Sequence, residues 1–287
     1  MTSSPNDTAT QRLIHDPSMI GKVALVSGGM GGVGRETVMA LVAHGIRVIF
    51  TYADGFENPD QAKSFADSLG GEVQAIGLNL IERSSIERCM HDAFGAFGRV
   101  DILVNNAAVG SATVAPYGKT AGEQDRAMLL INADGTLAMV QAFLAERLSR
   151  GIDTPAKIIN LSSVGGGTTQ IPGFRLSDGM SKSAIAFLTR ALAAEHVHDG
   201  IDVFAISPGA INTRMLRAST LDRMEENERR AYIERMPKGR LIEPSEIAAI
   251  ILFLCSSYST PLHGSVIDAS MGLGVRPGLA SEPAPAS

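Results

Sequence analysis

The chain lacks the marks of several functional classes. It has only two cysteines, Cys89 and Cys255, in 287 residues, and neither has a CxxC neighbour. No disulfide framework or thiolate metal site can be built from them, and they read as two reduced core or surface thiols of a cytosolic protein. No Lys/Arg run occurs and the formal net charge is −5, which argues against nucleic acid or an anionic membrane as partner. The longest apolar stretch, 247–254, is far short of the ~20 residues that span a bilayer. The first twenty residues are polar and lack the apolar segment of a secretory signal. His15, His44, His91, His196, His198 and His263 are scattered away from carboxylate or thiol partners, so they read as surface or helix-end residues and no metal site is expected.

The chain does have a regular alternation of short apolar runs and helical patterns. Hydrophobic residues make up 45% and charged residues 19%, the balance of a globular α/β protein. Strand runs are expected at 23–26, 47–51, 73–78, 102–104, 157–161, 203–206 and 266–267, with helical segments between, for instance 183–198. Near-continuous apolar strands separated by helices predict a single-domain α/β fold of the Rossmann type. Its doubly wound parallel sheet has helices on both faces. Residues 1–18 read as a flexible arm, 19–275 as the domain and 276–287 as a Pro/Ala/Ser-rich flexible tail.

SGGMGGVG at 27–34 follows the first strand and opens the first helix. Glycines let a backbone approach phosphates, and the helix start offers free N–H groups. The string is not GxGxxG. Gly28, Gly32 and Gly34 fit TGxxxGxG, with Ser27 in the Thr place.

In that spacing the chain resembles the short-chain dehydrogenase/reductase family, over roughly residues 20–275. NNAA at 105–108 is similar to the family's NNAG, and Asn132 in LLINADGT to its helix asparagine. INLSS at 159–163 ends with Ser163 at the catalytic serine, and Lys182 stands at the catalytic lysine, beginning the next helix. SPGAINT at 207–213 is similar to the PG motif. HGSVIDASMG at 263–272 is similar to the closing strand, with Ser270 and Met271 where two glycines are usual. The resemblance implies an NAD(P)-dependent oxidoreductase acting on a small molecule. It also implies a cofactor held by Ser27, Gly28, Met30, Gly32, Val33, Gly34, Tyr52, Asn79, Leu80, Asn106, Ala107, Ala108, Lys182, Pro208, Gly209, Ile211 and Thr213. A homotetramer or homodimer is implied as well, through helices around 121–149 and 181–198.

An acid at the end of the second strand would bind a ribose diol and repel a 2′-phosphate. Tyr52 occupies that place, so NADP(H) is expected over NAD(H). Asp54 lies two residues on, and Arg35 just inside the first helix.

One departure from the family is chemical. The family's acid/base is a tyrosine four residues before the lysine, and here that position is Asp178, in SDGMSKSA. An aspartate starts near pKa 3.9 and Lys182 beside it should push it lower, leaving an anion unless a closed apolar pocket raises it. Three readings stay open: a reductase of a C=N or iminium group that Asp178 stabilises as an anion; a carbonyl reductase in which Asp178 has a raised pKa; or a cyclase, isomerase or redox-silent binder. Tyr117, in the loop after NNAA, and Tyr232 are alternative proton donors. Residues 211–240 occupy the place of the family's substrate-covering lid. Met215, Met224 and Met236 suit an adaptable apolar wall there, and Tyr117 and Met215 are candidate substrate contacts.

Overall fold

The computed structural model describes residues 16–280 except 71 and 172. Seven strands form one sheet: β1 (Val23–Val26), β2 (Arg47–Ala53), β3 (Val73–Leu78), β4 (Ile102–Asn105), β5 (Ala156–Leu161), β6 (Ile201–Pro208) and β7 (Val266–Ala269). Their order is β3-β2-β1-β4-β5-β6-β7 and every pairing is parallel. Central strands read VALV and ILVN, with all residues buried, because helices cover both faces and each side chain must be apolar.

On one face α1 (Gly32–Ala43), α2 (Pro59–Leu69) and α9 (Pro244–Cys255) pack over Val26, Phe50 and Phe204. The other face is covered by α3 (Arg83–Phe97), α4 (Ala121–Leu129), α5 (Gly135–Ser149) and α6 (Leu176–Glu195). Its core includes Leu25, Phe94, Leu103 and Phe143. A π-turn at Leu130–Asp134 joins α4 to α5. The run Ala121–Ser149 has the length and hydropathy of a membrane span, but 56% of its most apolar window is buried inside the fold. The strand order reverses between β1 and β4, which opens a crevice at the carboxyl ends of the strands.

Several elements depart from the sequence reading. Helix α6 begins at Leu176 rather than at 183, so Lys182 sits in its second turn and Asp178 in its first. LSDGMSK is a weak helix former. Tertiary bonds secure its start: Asp125 Oδ1 on α4 accepts from Arg175 Nε at 2.7 Å and from Ser177 Oγ at 2.5 Å. The arm is anchored from Asp16 onward. The Asp16 carboxylate accepts from the Ser257 backbone N–H at 2.7 Å, from Ser257 Oγ at 2.8 Å and from the Ser18 N–H at 2.9 Å. Residues 1–15 of the expected arm and 281–287 of the tail lie outside the described residues, and Pro277–Ala280 form a short 3₁₀ turn. His263 ends a 3₁₀ turn, Ser257–Leu262, as a helix-end residue. Its ring bridges the Val203 N–H, at 3.1 Å, and the Ala193 carbonyl, at 2.8 Å. Cys89 and Cys255 are free and buried, and burial pushes both thiols up to about 12. Met271 adopts φ +57°, the left-handed conformation that a glycine takes without strain.

Candidate active site

The crevice is a cleft of about 1990 Å³ running from α2 across the strand ends to the segment after β6. Its glycine loop is held by side chains of the neighbouring strands. Ser27 Oγ accepts from the Asn106 and Ala107 N–H groups, both at 3.0 Å, and Asn106 Nδ2 donates to the Ser27 and Gly28 carbonyls. The Gly28 N–H donates to Thr51 Oγ1 at 3.1 Å. A Cβ at Gly34 would drive into the Gly28 carbonyl oxygen and stand 2.7 Å from Asn106 Nδ2. Only glycine permits this turn, which leaves the start of α1 open to the cleft.

At the cleft's centre, three consecutive glycines after Ser163 press its loop onto α6. Gly166 has φ +96°, and any Cβ there would strike the Gly179 carbonyl. Ser183 Oγ ties the two segments, donating to the Gly166 carbonyl at 2.7 Å and the Gly179 carbonyl at 2.9 Å. Asp178 is thereby nearly buried, yet it lines the cleft. Its carboxylate takes part in no hydrogen bond or ion pair among the described residues. Burial raises its pKa above the ordinary 3.8, against the lowering pull of Lys182 and Arg175. Lys182 does pull it lower, as expected, but burial prevails, which is the exception a closed pocket was expected to make. Lys182 Nζ donates to the Leu161 carbonyl at 3.2 Å and forms no ion pair with the carboxylate. Burial in turn lowers the Lys182 pKa, and Asp178 opposes it.

Around this pair, Ser163 lines the cleft, its Oγ accepting from the Gly165 N–H at 3.3 Å. Asn132, in the π-turn, is buried behind. Its Oδ1 accepts from the Val109 N–H at 2.9 Å, and its Nδ2 donates to the Val109 carbonyl at 2.9 Å and to Ser181 Oγ at 3.3 Å. Ser181 Oγ donates to the Asp178 carbonyl at 2.7 Å, so Asn132 braces the turn that carries the carboxylate. The segment after β6 crosses the cleft. A Cβ at Gly32 would stand 2.9 Å from Thr213 Cγ2, and one at Gly110 would stand 3.0 Å from Met215 Sδ. Thr213 caps α7 (Arg214–Ser219), and after it α8 (Glu226–Arg235) completes the cover. Leu221, Met236 and Leu241 form its own small core.

Comparison with known proteins sets this geometry in context. Residues 28–274 match the family model described as enoyl-(acyl carrier protein) reductase. Acetoacetyl-CoA reductase of Shinella zoogloeoides is 35% identical over 254 residues, covering 88% of this chain and 98% of that protein. The chain belongs to the short-chain dehydrogenase/reductase family. Another relative is the 3-oxoacyl-[acyl-carrier-protein] reductase FabG of Aquifex aeolicus, 29% identical over 88% of this chain and 97% of its own. Among solved structures of this dehydrogenase/reductase type, the Pseudomonas aeruginosa RhlG/NADP active-site complex superimposes with TM-score 0.77. It is 29% identical and covers 91% of this chain and 100% of its own. A single-residue variant of actinorhodin polyketide ketoreductase with NADPH gives 0.76 at 26% identity, with 88% and 97% covered.

The residues that the sequence assigned to a dehydrogenase/reductase site mostly meet on one cleft. Gly28, Met30, Gly32, Val33, Tyr52, Asn79, Leu80, Asn106, Ala107, Ala108, Ser163, Asp178, Lys182, Pro208, Gly209, Ile211 and Thr213 line it, as do Tyr117 and Met215. Ser27, Gly34 and Asn132 do not reach its surface and act from behind. Asn79 is engaged locally, its Oδ1 accepting from the Ile81 N–H at 3.1 Å and its Nδ2 donating to Glu82 at 3.0 Å. Tyr117 stacks at 4.5 Å on Phe56, and burial raises its phenol and that of Tyr232. Both are therefore weaker proton donors than free tyrosines. Met236 lines the cleft, whereas Met224 does not.

Sequence reasoning passed over Thr51 and the face of α2. Gln61, Ser64, Phe65 and Ser68 all line the cleft, and the Arg35 guanidinium lies 3.7 Å over the Phe65 ring. The i, i+3, i+4, i+7 spacing of those four residues was the signal available.

Proposed function

We propose that this NAD(P)-dependent oxidoreductase uses NADPH to reduce a carbonyl group of a small molecule, with Asp178 as the proton donor in place of the family's tyrosine. The observation that carries the reading is the Asp178 carboxyl itself: cleft-lining, unpaired, one helical turn before Lys182, with its pKa raised by burial. A carboxyl that keeps its proton can donate it, which an anion cannot.

The glycine cradle fits a dinucleotide, because Gly28, Gly31 and Gly32 line the cleft without side chains at the start of α1, and Lys182 stands where it would hold the nicotinamide ribose. When bound, the cofactor supplies the hydride. Ser163 Oγ orients the substrate oxygen, and Asp178 donates its proton to that oxygen. The carboxylate left behind is stabilised by the positive charge of Lys182. The cover formed by Thr213 and Met215 excludes water while this happens. Tyr52 near the end of β2, with Arg35 lining the same cleft from α1, supports NADP(H) over NAD(H), since no carboxylate ends that strand.

A second reading has its own support. Lys182 and Arg175 both favour the ionised carboxyl, and an anion lining the cleft suits an iminium substrate, which needs no proton. Fluorescence titration with NADPH and NADH, followed by turnover of a panel of ketones and cyclic imines, separates the two. Ketone reduction with NADPH is expected, and exclusive imine reduction overturns the first reading.

The enzyme is read as cytoplasmic and as a homodimer or homotetramer. Leu176, Met180 and Phe187 form an exposed apolar stripe on α6 that supports self-association, which size-exclusion chromatography with light scattering tests.

A further inference from the structure

The cover over the cleft is charged against the trend of the chain. Residues 211–240 carry eight Arg or Lys and five Asp or Glu, in a chain of net charge −5. Three of these cations are committed. Arg240 donates to both carboxylate oxygens of Glu246, Arg229 is anchored on the Leu221 and Met224 carbonyls, and Arg230 lies 3.8 Å from Glu226.

Three others line the cleft instead: Arg214, Arg217 and Arg223. Arg217 donates only to the neutral Asn212 amide oxygen, at 3.2 Å. Arg214 and Arg223 have no side-chain hydrogen bond or ion pair among the described residues. Among the described residues, the acids that line the cleft apart from Asp178 are Asp54, Glu57 and Asp60, all on the β2–α2 side. The rim formed by the cover therefore presents guanidinium groups with no carboxylate lining the cleft beside them.

Planar guanidinium groups match oxyanions in pairs of hydrogen bonds, and a one-signed rim steers an oppositely charged ligand inward. We propose that the substrate carries an anionic group, a phosphate or a carboxylate. Arg214, Arg217 and Arg223 hold that group at the cleft rim while the carbonyl stands against Ser163 and Asp178. This assignment of substrate class rests on the carbonyl-reduction reading above.

The test is steady-state kinetics at saturating NADPH with acetoacetyl-CoA, acetoacetate and the neutral ethyl acetoacetate. The wild type is compared with the double variant Arg214→Gln/Arg223→Gln and with Arg217→Gln. The expected result is a KM for the anionic substrates raised about tenfold for each guanidinium group removed. The KM values for ethyl acetoacetate and NADPH should stay within about twofold. Because these side chains are exposed, the effect should shrink at high salt. A rise confined to acetoacetyl-CoA assigns the group as phosphate, and one confined to acetoacetate assigns it as carboxylate. Equal changes for the ester and the anions overturn the proposal, as does a change in NADPH KM alone. If the wild type reduces no ketone, the carbonyl reading falls. Calorimetric binding of coenzyme A and of acetoacetate to the NADPH-loaded protein then decides this one: tighter binding by wild type than by the double variant supports it, and equal or absent binding overturns it.

Discussion

Asp178 and Lys182 stand one turn apart on α6 without forming an ion pair. The lysine Nζ donates to the Leu161 carbonyl at 3.2 Å, and the carboxyl lines the cleft with no hydrogen bond among the described residues. Lys182 acts on Asp178 only as a more distant charge, too weak to offset burial. Burial thereby lifts this carboxyl above its ordinary value against the pull of Lys182 and Arg175.

Removing that proton should cost turnover more than binding. Asp178→Asn keeps shape and polarity but has no proton to give. Ketone reduction should fall by about 10²–10⁴-fold, the ordinary worth of a positioned general acid, with the KM for NADPH within about twofold. Asp178→Tyr should recover part of the loss. Single-turnover rates at saturating NADPH measure both.

Lys182 should destabilise the fold at neutral pH. Its folded pKa is lowered from 10.5 by burial, so between the two values the unfolded chain binds more protons and stability rises with pH. Lys182→Met should therefore melt higher than wild type at pH 7 while losing turnover. The gap should narrow as pH approaches 10.5. Scanning calorimetry across the neutral-to-alkaline range reads this directly.

Asp16 has the opposite linkage. Burial raises its pKa, but hydrogen bonds from Ser257 and Ser18 prevail and hold it well below 3.8. Its stabilisation is complete above 3.8 and is lost as pH falls toward the lower folded value. Asp16→Asn should cost about 1 kcal/mol at pH 7, the excess of charge-assisted over neutral hydrogen bonds. The difference should fade in acid, as urea denaturation at pH 7 and pH 3 would show.

The glycine loop permits a paired test. Gly34→Ala forces a methyl into the Gly28 carbonyl, so the loop must shift, at about 1–3 kcal/mol, and NADPH binding should weaken with it. Gly31→Ala, whose Cβ meets nothing nearer than 3.5 Å, should leave both unchanged. Thermal melts and cofactor titration compare the two.

The sheet was legible because buried parallel strands must be apolar on both faces, and VALV and ILVN leave little else to infer. The cleft-lining positions were legible because they fall at strand ends in a fixed order. The start of α6 was not, since bonds from Asp125 secure a segment whose own propensity is weak. The raised pKa of Asp178 was one of the alternatives the sequence left open, and the choice among them depends on how closely Gly166 packs on Gly179 and on where Lys182 Nζ points. The stacking of Arg35 on Phe65 joins residues thirty positions apart, and no local pattern announces it.

The most direct test is the pH dependence of kcat/KM for NADPH-driven reduction of acetoacetyl-CoA by wild type and Asp178→Asn. The account predicts a wild-type rate that declines with rising pH through one ionisation above the ordinary carboxyl value of 3.8, and a variant that is far slower and lacks that ionisation. A variant with wild-type rates and the same profile would contradict it.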